Sequence, residues 1–331
     1  MTPAVSVVLP AFNVAPLVGA TVASLAAQDW PAIELIAVDD GSADGTADVL
    51  AAALDAFRGP GRGARLIRQA NGGLGAARNV GLRHATADRV LFLDGDDLLD
   101  PGALSTLMRA LDAAPQADIV FPRCRHIDEG GVPLGIVSPA PPRPIGAAAL
   151  ITDNPIHTDS GLLIRRAAID RASGFDTALP SCIGIDFLIR ATAGRGACIL
   201  PVDAVLVGYR RRDGQITADW RRQRAGWTVA ARRARDAGVL DARDWRFALA
   251  RNRIVWATTA YRTGYHADAR ALMRAALRAS PAAVLGDPHG RIRLAATLTT
   301  LLPPLHAVLV RKQSAPPCRS LGRKIADVNE S

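Results

Sequence analysis

Three clusters in the first hundred positions carry residues equipped for chemistry. Asp94-Gly95-Asp96-Asp97 directly follows the apolar run Arg89-Val90-Leu91-Phe92-Leu93. Two carboxylates one residue apart at a strand end can share a divalent cation whose remaining positions go to diphosphate oxygens and water. Acids at this place also suit a plainer role, capping the helix that opens near Pro101. Asp39-Asp40-Gly41-Ser42 closes a second apolar run, where glycine permits a tight turn and a carboxylate can accept hydrogen bonds from a base N–H or a ribose hydroxyl. In the third cluster, from Gln69 through Asn71-Gly72-Gly73 to Arg78-Asn79, the glycines let backbone approach a ligand and Arg78 can face phosphates from the following helix.

These clusters need a scaffold, and the hydrophobic pattern supplies one. Val5 to Pro10, Glu34 to Asp40, Ala64 to Arg68 and Arg89 to Leu93 read as strands, with helices over 16 to 27, from Asp44-Gly45-Thr46 onward, and from Gly75 to His84. Alternating strands and helices imply a mostly parallel sheet that binds ligands at the carboxyl ends of its strands, where the acids fall. A proline-rich stretch over 139 to 144 reads as a surface loop. From about Trp220 the composition shifts to alanine, arginine and leucine at helical spacing, so the expected division is an α/β domain over 1–218 and a helical region over 219–331.

The 331 residues, 49% hydrophobic, contain ample material for a core. A net charge of +9 raises the question of nucleic acid, but lysine occurs only at Lys312 and Lys324. Much of the arginine falls after residue 205, in runs such as Tyr209-Arg210-Arg211-Arg212 and Arg221-Arg222. That distribution argues against a nucleic-acid partner; it suits a sugar diphosphate, an anionic polymer or a membrane surface, and most of these arginines read as solvated helix faces. Cys124, Cys182, Cys198 and Cys318 lack metal or redox spacing and imply a reducing cytoplasm. The amino terminus runs straight into a strand without a basic leader, so no signal peptide is expected.

In this order the motifs closely resemble glycosyltransferase family 2. The match opens with Ser6-Val7-Val8-Leu9-Pro10-Ala11-Phe12-Asn13, continues through the clusters at 38 to 46 and 69 to 79, and reaches Phe92-Leu93-Asp94-Gly95-Asp96-Asp97. A weaker echo follows in Gly161 to Arg166 and in Gly174-Phe175-Asp176. The resemblance implies a GT-A-like, Rossmann-type sheet flanked by helices, with a carboxy-terminal helical region. It also implies inverting transfer from a nucleotide-sugar, a UDP-sugar first, to a hydroxyl of a glycan or glycan-lipid acceptor, with Mn2+ or Mg2+. By resemblance Pro10 and Asn13 border the nucleotide, Asp40 contacts its base, Arg78 lies near the diphosphate, and Asp94 and Asp96 handle metal and diphosphate.

The second half departs from the family in two places. Ile183 and Gly184 stand where an acidic pair is usual, and the second of that pair is the family's catalytic base. Asp186, which matches the family's next acid, and Asp159, in the loop before Gly161, are the candidate replacements. Two positions along a helix rotate a side chain by about 200°, which turns Asp186 away from the direction Gly184 faces. Arg212 stands near the place of a family histidine; it cannot ligate a cation but can neutralise diphosphate.

A non-catalytic nucleotide-sugar-binding or scaffolding protein is the rival reading. A dinucleotide oxidoreductase is disfavoured, because Gly73-Leu74-Gly75-Ala76-Ala77-Arg78 lacks the third glycine and follows a late strand. His157 lies in a loop that could border the acceptor, although a structural or exposed role is the commoner one, and His84, His126, His266, His289 and His306 share no metal-ligand spacing. Trp220, Trp227, Trp245 and Trp256 suit core positions or sugar stacking. Leu294 to Val310, followed by Arg311 and Lys312, suits packing against the helical region or peripheral contact with the inner membrane surface; Pro303-Pro304 precludes a single spanning helix.

Overall fold

The computed structural model describes residues 4–141, 143–212 and 219–286. Four strands come first, β1 (Val5–Ala11), β2 (Ile33–Asp39), β3 (Arg62–Arg68) and β4 (Arg89–Phe92), connected by helices α1 (Ala15–Ala26), α2 (Thr46–Phe57) and α3 (Leu74–His84). There follow β5 (Leu98–Leu99), α4 (Ala103–Ala113), β6 (Ile119–Ile127), β7 (Pro133–Val137), α5 (Ala147–Thr152), β8 (Leu163–Arg165), α6 (Arg166–Ala172), α7 (Ile183–Ala191) and β9 (Ile199–Arg210). Helices α8 (Trp220–Asp236), α9 (Ala242–Arg262), α10 (His266–Ala279) and α11 (Pro281–Leu285) complete the described chain.

The sheet runs β3-β2-β1-β4-β8-β6-β9-β5, with β7 paired to β6. Its first four strands are parallel, as the strand-helix alternation implies. Beyond β4 the sheet is mixed: β8 is antiparallel to both β4 and β6, and β6 and β9 are parallel. β1 is buried along its whole length, the environment that a continuous apolar run requires. β3, at the sheet edge, keeps polar and charged residues in Arg62-Gly63-Ala64-Arg65-Leu66-Ile67-Arg68.

The two faces of β1 are covered differently. Val5, Val7 and Leu9 join the main core with Val18, Val22 and Leu25 of α1 and Leu50 and Leu54 of α2. Val8 faces α3, and the helix approaches so closely that a methyl group on Gly81 would lie 2.4 Å from Val8 Cγ1. A side chain at Gly81 would therefore push α3, and the Arg78 it carries, off the sheet.

Pairing explains how distant segments meet at one end of the sheet. Because β8 runs antiparallel to β4, with Leu163 opposite Leu91, the loop entering β8 returns Asp159 and Ser160 to the end of β4 where Asp94 begins. β5 pairs with β9, Leu98 opposite Gly208 and Leu99 opposite Val207, which sets Asp96 and Asp97 against Tyr209 to Arg212.

The chain divides into two compact units, 1–248 and 249–331. In the first, α8 is started by Asp219, whose side chain accepts from the N–H groups of Arg221 and Arg222, an N-cap. In the second, Ile254, Trp256, Ala257 and Ala260 of α9 and Ala269, Leu272, Met273 and Ala276 of α10 are buried, and Arg253 donates to Ala275 O at 2.9 Å. Trp220 and Trp227 are core residues of the first unit, and Trp256 is a core residue of the second. Among the described residues no helix is long and apolar enough to cross a membrane. The apolar segment from Leu294 to Val310, together with His289, His306, Cys318 and both lysines, lies outside the described residues.

Candidate donor and acceptor site

A cavity of about 590 Å³ opens at the carboxyl ends of β1, β2 and β4, lined by Pro10, Asn13, Asp40, Asp94, Asp96 and Arg212 among others. Six of the positions singled out from the sequence therefore share one wall. Each is held by local geometry. Asn13 sits at φ +50°, its N–H on Ser42 Oγ at 3.0 Å and its own Oδ1 accepting from Ala43 N at 3.0 Å, which ties the end of β1 to the turn after β2. Gly41, at φ +77°, brings that turn against Asn71, where any Cβ would lie 2.8 Å from the Asn71 nitrogen. The Asp40 carboxylate then receives Gln69 Nε2 at 2.7 Å, Gly72 N at 2.9 Å and Gly73 N at 2.8 Å, so it organises the glycine-rich turn as well as facing the cavity.

Arg78 is fully buried behind this wall. Its guanidinium donates to Asp94 Oδ1 at 2.7 Å and to Asp159 Oδ2 at 2.5 Å, and lies over the rings of Phe92 and Phe175 at 5.4 and 5.3 Å. Burial acts to lower its pKa, but the carboxylates of Asp94 and Asp159 more than offset this and hold it above its ordinary value. The cation is thus fixed, and it joins two acids that are far apart in the chain. Burial and the neighbouring Asp159 and Asp96 charges keep Asp94 above the usual carboxylate range in spite of Arg78.

Asp96 Oδ2 accepts from Arg212 Nε at 2.7 Å. Asp94 and Asp96 each retain one carboxylate oxygen without a hydrogen-bond partner among the described residues. Two such oxygens on one cavity wall form a hard-donor set that fits Mn2+ or Mg2+. Asp97 has a different task. Buried beside the motif, it accepts from Ser160 Oγ at 2.6 Å, Thr158 Oγ1 at 3.1 Å and Arg210 N at 2.9 Å, and so ties the acid motif to the 158–160 loop and to β9. Burial, with Asp96 and Asp94 nearby, raises its pKa well above the ordinary value.

The two acids considered as bases are placed very differently. Asp186, in α7, is buried and bound by Arg190 Nε and Nη2 at 3.0 and 2.8 Å and by Arg233 Nη1 at 2.9 Å. Neither Asp186 nor Asp159 is among the residues that line the cavity, but Asp159 is joined through Arg78 to Asp94, which does line it. Asp159 occupies the space above Gly184: a methyl group built on Gly184 would lie 2.5 Å from both Asp159 carboxylate oxygens. Arg78 holds Asp159 Oδ2, and Oδ1 has no hydrogen-bond partner among the described residues.

Several arginines depart from the solvated reading. Arg210 is buried, with Nε on Asp96 O at 2.6 Å and Nη1 on the carbonyls of Asp128 and Glu129. Arg222 and Tyr209 line the cavity, and Arg233 binds Asp176 and Asp186. Only the position of β9 and α8 identifies these arginines, since in sequence they lie within longer basic runs.

Comparisons with known proteins establish the family and the fold. The pattern of glycosyl transferase family 2 is matched over residues 6–172, just over half of the chain, and the chain belongs to that family. It is 37% identical over 120 residues to the uncharacterized glycosyltransferase EpsJ of Bacillus subtilis, covering 36% of this chain and 33% of that one. It is 27% identical over 188 residues to an uncharacterized glycosyltransferase of Haemophilus influenzae, covering 56% of this chain and 60% of that one. The chain thus spans about a third of the length of the first of these relatives. Among solved structures, S. aureus TarS 1-349 in complex with UDP-GlcNAc superposes with a TM-score of 0.62 at 19% identity, over 94% of this chain and 93% of that one. The mannosyltransferase PcManGT of Pyrobaculum calidifontis, in complex with GDP-Man and Mn2+, gives 0.58 at 21%, over 94% and 86%. The GT-A architecture is shared with both.

Proposed function

We propose that the chain catalyses inverting transfer of a sugar from a nucleotide-sugar, a UDP-sugar first, to a hydroxyl of a glycan or glycan-lipid acceptor, assisted by Mn2+ or Mg2+. The observation that carries this reading is the convergence of Asp40, Asp94, Asp96 and Arg212 on one cavity. The UDP-GlcNAc complex of the TarS neighbour makes uridine the first donor to test, and the GDP-Man complex of PcManGT makes guanosine the second.

Asp40, Pro10 and Asn13 would receive the nucleoside, and Asp94 and Asp96 would hold the cation. When bound, the cation supplies positive charge to the diphosphate oxygens. Arg212, on the same wall, would shift from Asp96 to the leaving diphosphate as its charge develops. Asp159 would act as base: its Oδ1, without a hydrogen-bond partner among the described residues, lies beside Gly184, where the family resemblance puts an acid. The acceptor hydroxyl gives its proton to Asp159 while its oxygen bonds to the anomeric carbon. The bond from that carbon to the diphosphate oxygen breaks on the opposite face, and the configuration inverts. Arg78 positions Asp159 and Asp94 relative to one another. The region over 219–331 is assigned to acceptor handling, with Arg222 its contribution to the cavity, and peripheral contact with a membrane surface is part of this proposal.

A screen of UDP-, GDP- and other nucleotide-sugars for hydrolysis, with Mn2+, Mg2+ or EDTA, tests the reading. We expect release of UDP from at least one UDP-sugar only when metal is present. Nucleotide-sugar binding without turnover on any donor or acceptor would favour the non-catalytic rival, in which Asp159 only fills space.

A further inference from the structure

Cys124 and His126 alternate on β6, so both side chains project to the same side of the strand. The loop before Ser160 brings His157 to them, and the three potential ligand atoms lie within 4.8 Å of one another. The His126 and His157 rings are 6.4 Å apart, and Tyr209 packs edge-on against His126 at 5.3 Å. A second observation points to a ligand here. His126 Nε2 is buried and has no hydrogen-bond partner among the described residues, which is uncommon for an imidazole nitrogen held inside a protein.

We propose that Cys124, His126 and His157 form a binding site for a borderline-soft divalent ion, Zn2+ in the first instance, distinct from the carboxylate pair at Asp94 and Asp96. A thiolate and two imidazoles suit Zn2+ and not Mg2+ or Mn2+, which take hard oxygen donors. Cys124 gives up its thiol proton to solvent on binding, and the two imidazoles bind as neutral bases. Three protein ligands leave a fourth position to water.

The site joins two structural elements. Cys124 and His126 belong to the sheet, whereas His157 belongs to the loop that carries Thr158, bound to Asp97, and Asp159, above Gly184. An ion held by all three would fasten that loop to β6. Without the ion, the contacts that position the loop include those of Thr158 and Ser160 to Asp97, of Ser160 to Asp94 N and of Arg78 to Asp159, and none of them holds the His157 side chain. The exposed side of the site is His157, so the ion can enter without the sheet opening.

Co2+ is the probe, because a thiolate ligand adds a near-ultraviolet charge-transfer band and a four-coordinate site gives intense visible bands, neither of which a carboxylate site produces. The full chain, stripped with chelator under reducing conditions, is titrated with Co2+ and then with competing Zn2+, in wild type and in Cys124→Ser, His157→Gln and Asp94→Ala. We expect one equivalent of Co2+ to give the thiolate band, Zn2+ to remove it, and excess Mg2+ to leave it unchanged. Cys124→Ser should lose the band. His157→Gln, a surface change that leaves the strand intact, should weaken Zn2+ binding by about 100-fold or more. Asp94→Ala should keep both band and affinity. Absence of the thiolate band in wild type, its persistence in Cys124→Ser, or equal Zn2+ affinity in His157→Gln would each overturn the proposal. Hydrogen exchange over residues 153–159 supplies a second readout: Zn2+ should slow it in wild type and not in His157→Gln, and no slowing in wild type would refute the fastening of the loop.

Discussion

Asp159 and Gly184 are best understood as a pair. Placing an acid at 184 without altering 159 would drive a Cβ to 2.5 Å from the Asp159 oxygens, so Gly184→Asp alone should be inactive and less stable. Asp159→Asn should retain donor binding and lose about 10²–10⁴-fold in transfer, the ordinary contribution of a general base. The double variant Asp159→Ala with Gly184→Asp should recover part of that loss, because it puts a carboxylate at position 184, where the family resemblance implies one. Transfer rates for the three variants decide this, and wild-type rates in Asp159→Asn would remove the base assignment. Asp186→Asn is the contrasting case. It weakens ion pairs to Arg190 and Arg233, both partly solvated, and should cost about 1–2 kcal/mol in urea unfolding with transfer retained. The family resemblance exposed the missing acid at 184 and helical spacing the rotation of Asp186, but neither could rank Asp159, whose place depends on the antiparallel return of β8. The Cys124, His126 and His157 cluster escaped a search for ligand spacing for the same reason: its third member arrives by tertiary folding alone.

At the scale of elements, strand-helix alternation made the first four strands and three helices legible, because β1, β2 and β4 are largely apolar runs and the more polar β3 falls between two helical stretches. The next strands were not legible. β6 contains Pro122 and the polar Arg123, Arg125 and His126, β7 is exposed throughout, and β5 is two residues long, so none shows a buried period. Helix α8 shows what depends on such hidden contacts. Gly226 lies so close to the α7 approach that a Cβ would come within 2.2 Å of Ser181 O, and Ser181 Oγ donates to Arg222 O at 2.8 Å. Gly226→Ala must therefore displace α8 or the segment before α7. The expected outcome is a loss of about 1–3 kcal/mol in urea unfolding together with weaker donor binding, since Arg222 leaves the cavity wall. Unchanged stability and affinity would show that α8 does not set the position of Arg222.

At the scale of the whole molecule, most arginines on α8 are exposed, but Arg78 and Arg210 are buried. Arg78, Arg210, Arg212 and Arg233 connect acids or carbonyls after β4, after β6, in α7 and in the 158–160 loop, so the basic composition builds the site as well as the surface. A chain ending at Ala218 would lose Arg222 from the cavity and Arg233 from Asp186, and should bind donor more weakly and unfold at lower temperature than the full chain; equal donor affinity would confine the donor site to the residues before it. The most direct test of the account is calorimetric titration of UDP into the full chain, with Mn2+ and after EDTA, in wild type, Asp94→Ala and Asp96→Ala. The account predicts Mn2+-dependent binding to wild type, weakened about 10-fold or more by chelation and by either substitution, the scale on which even supporting groups of a metal site act, with far-ultraviolet dichroism unchanged. Equal UDP affinity in all three proteins, with and without metal, would contradict it.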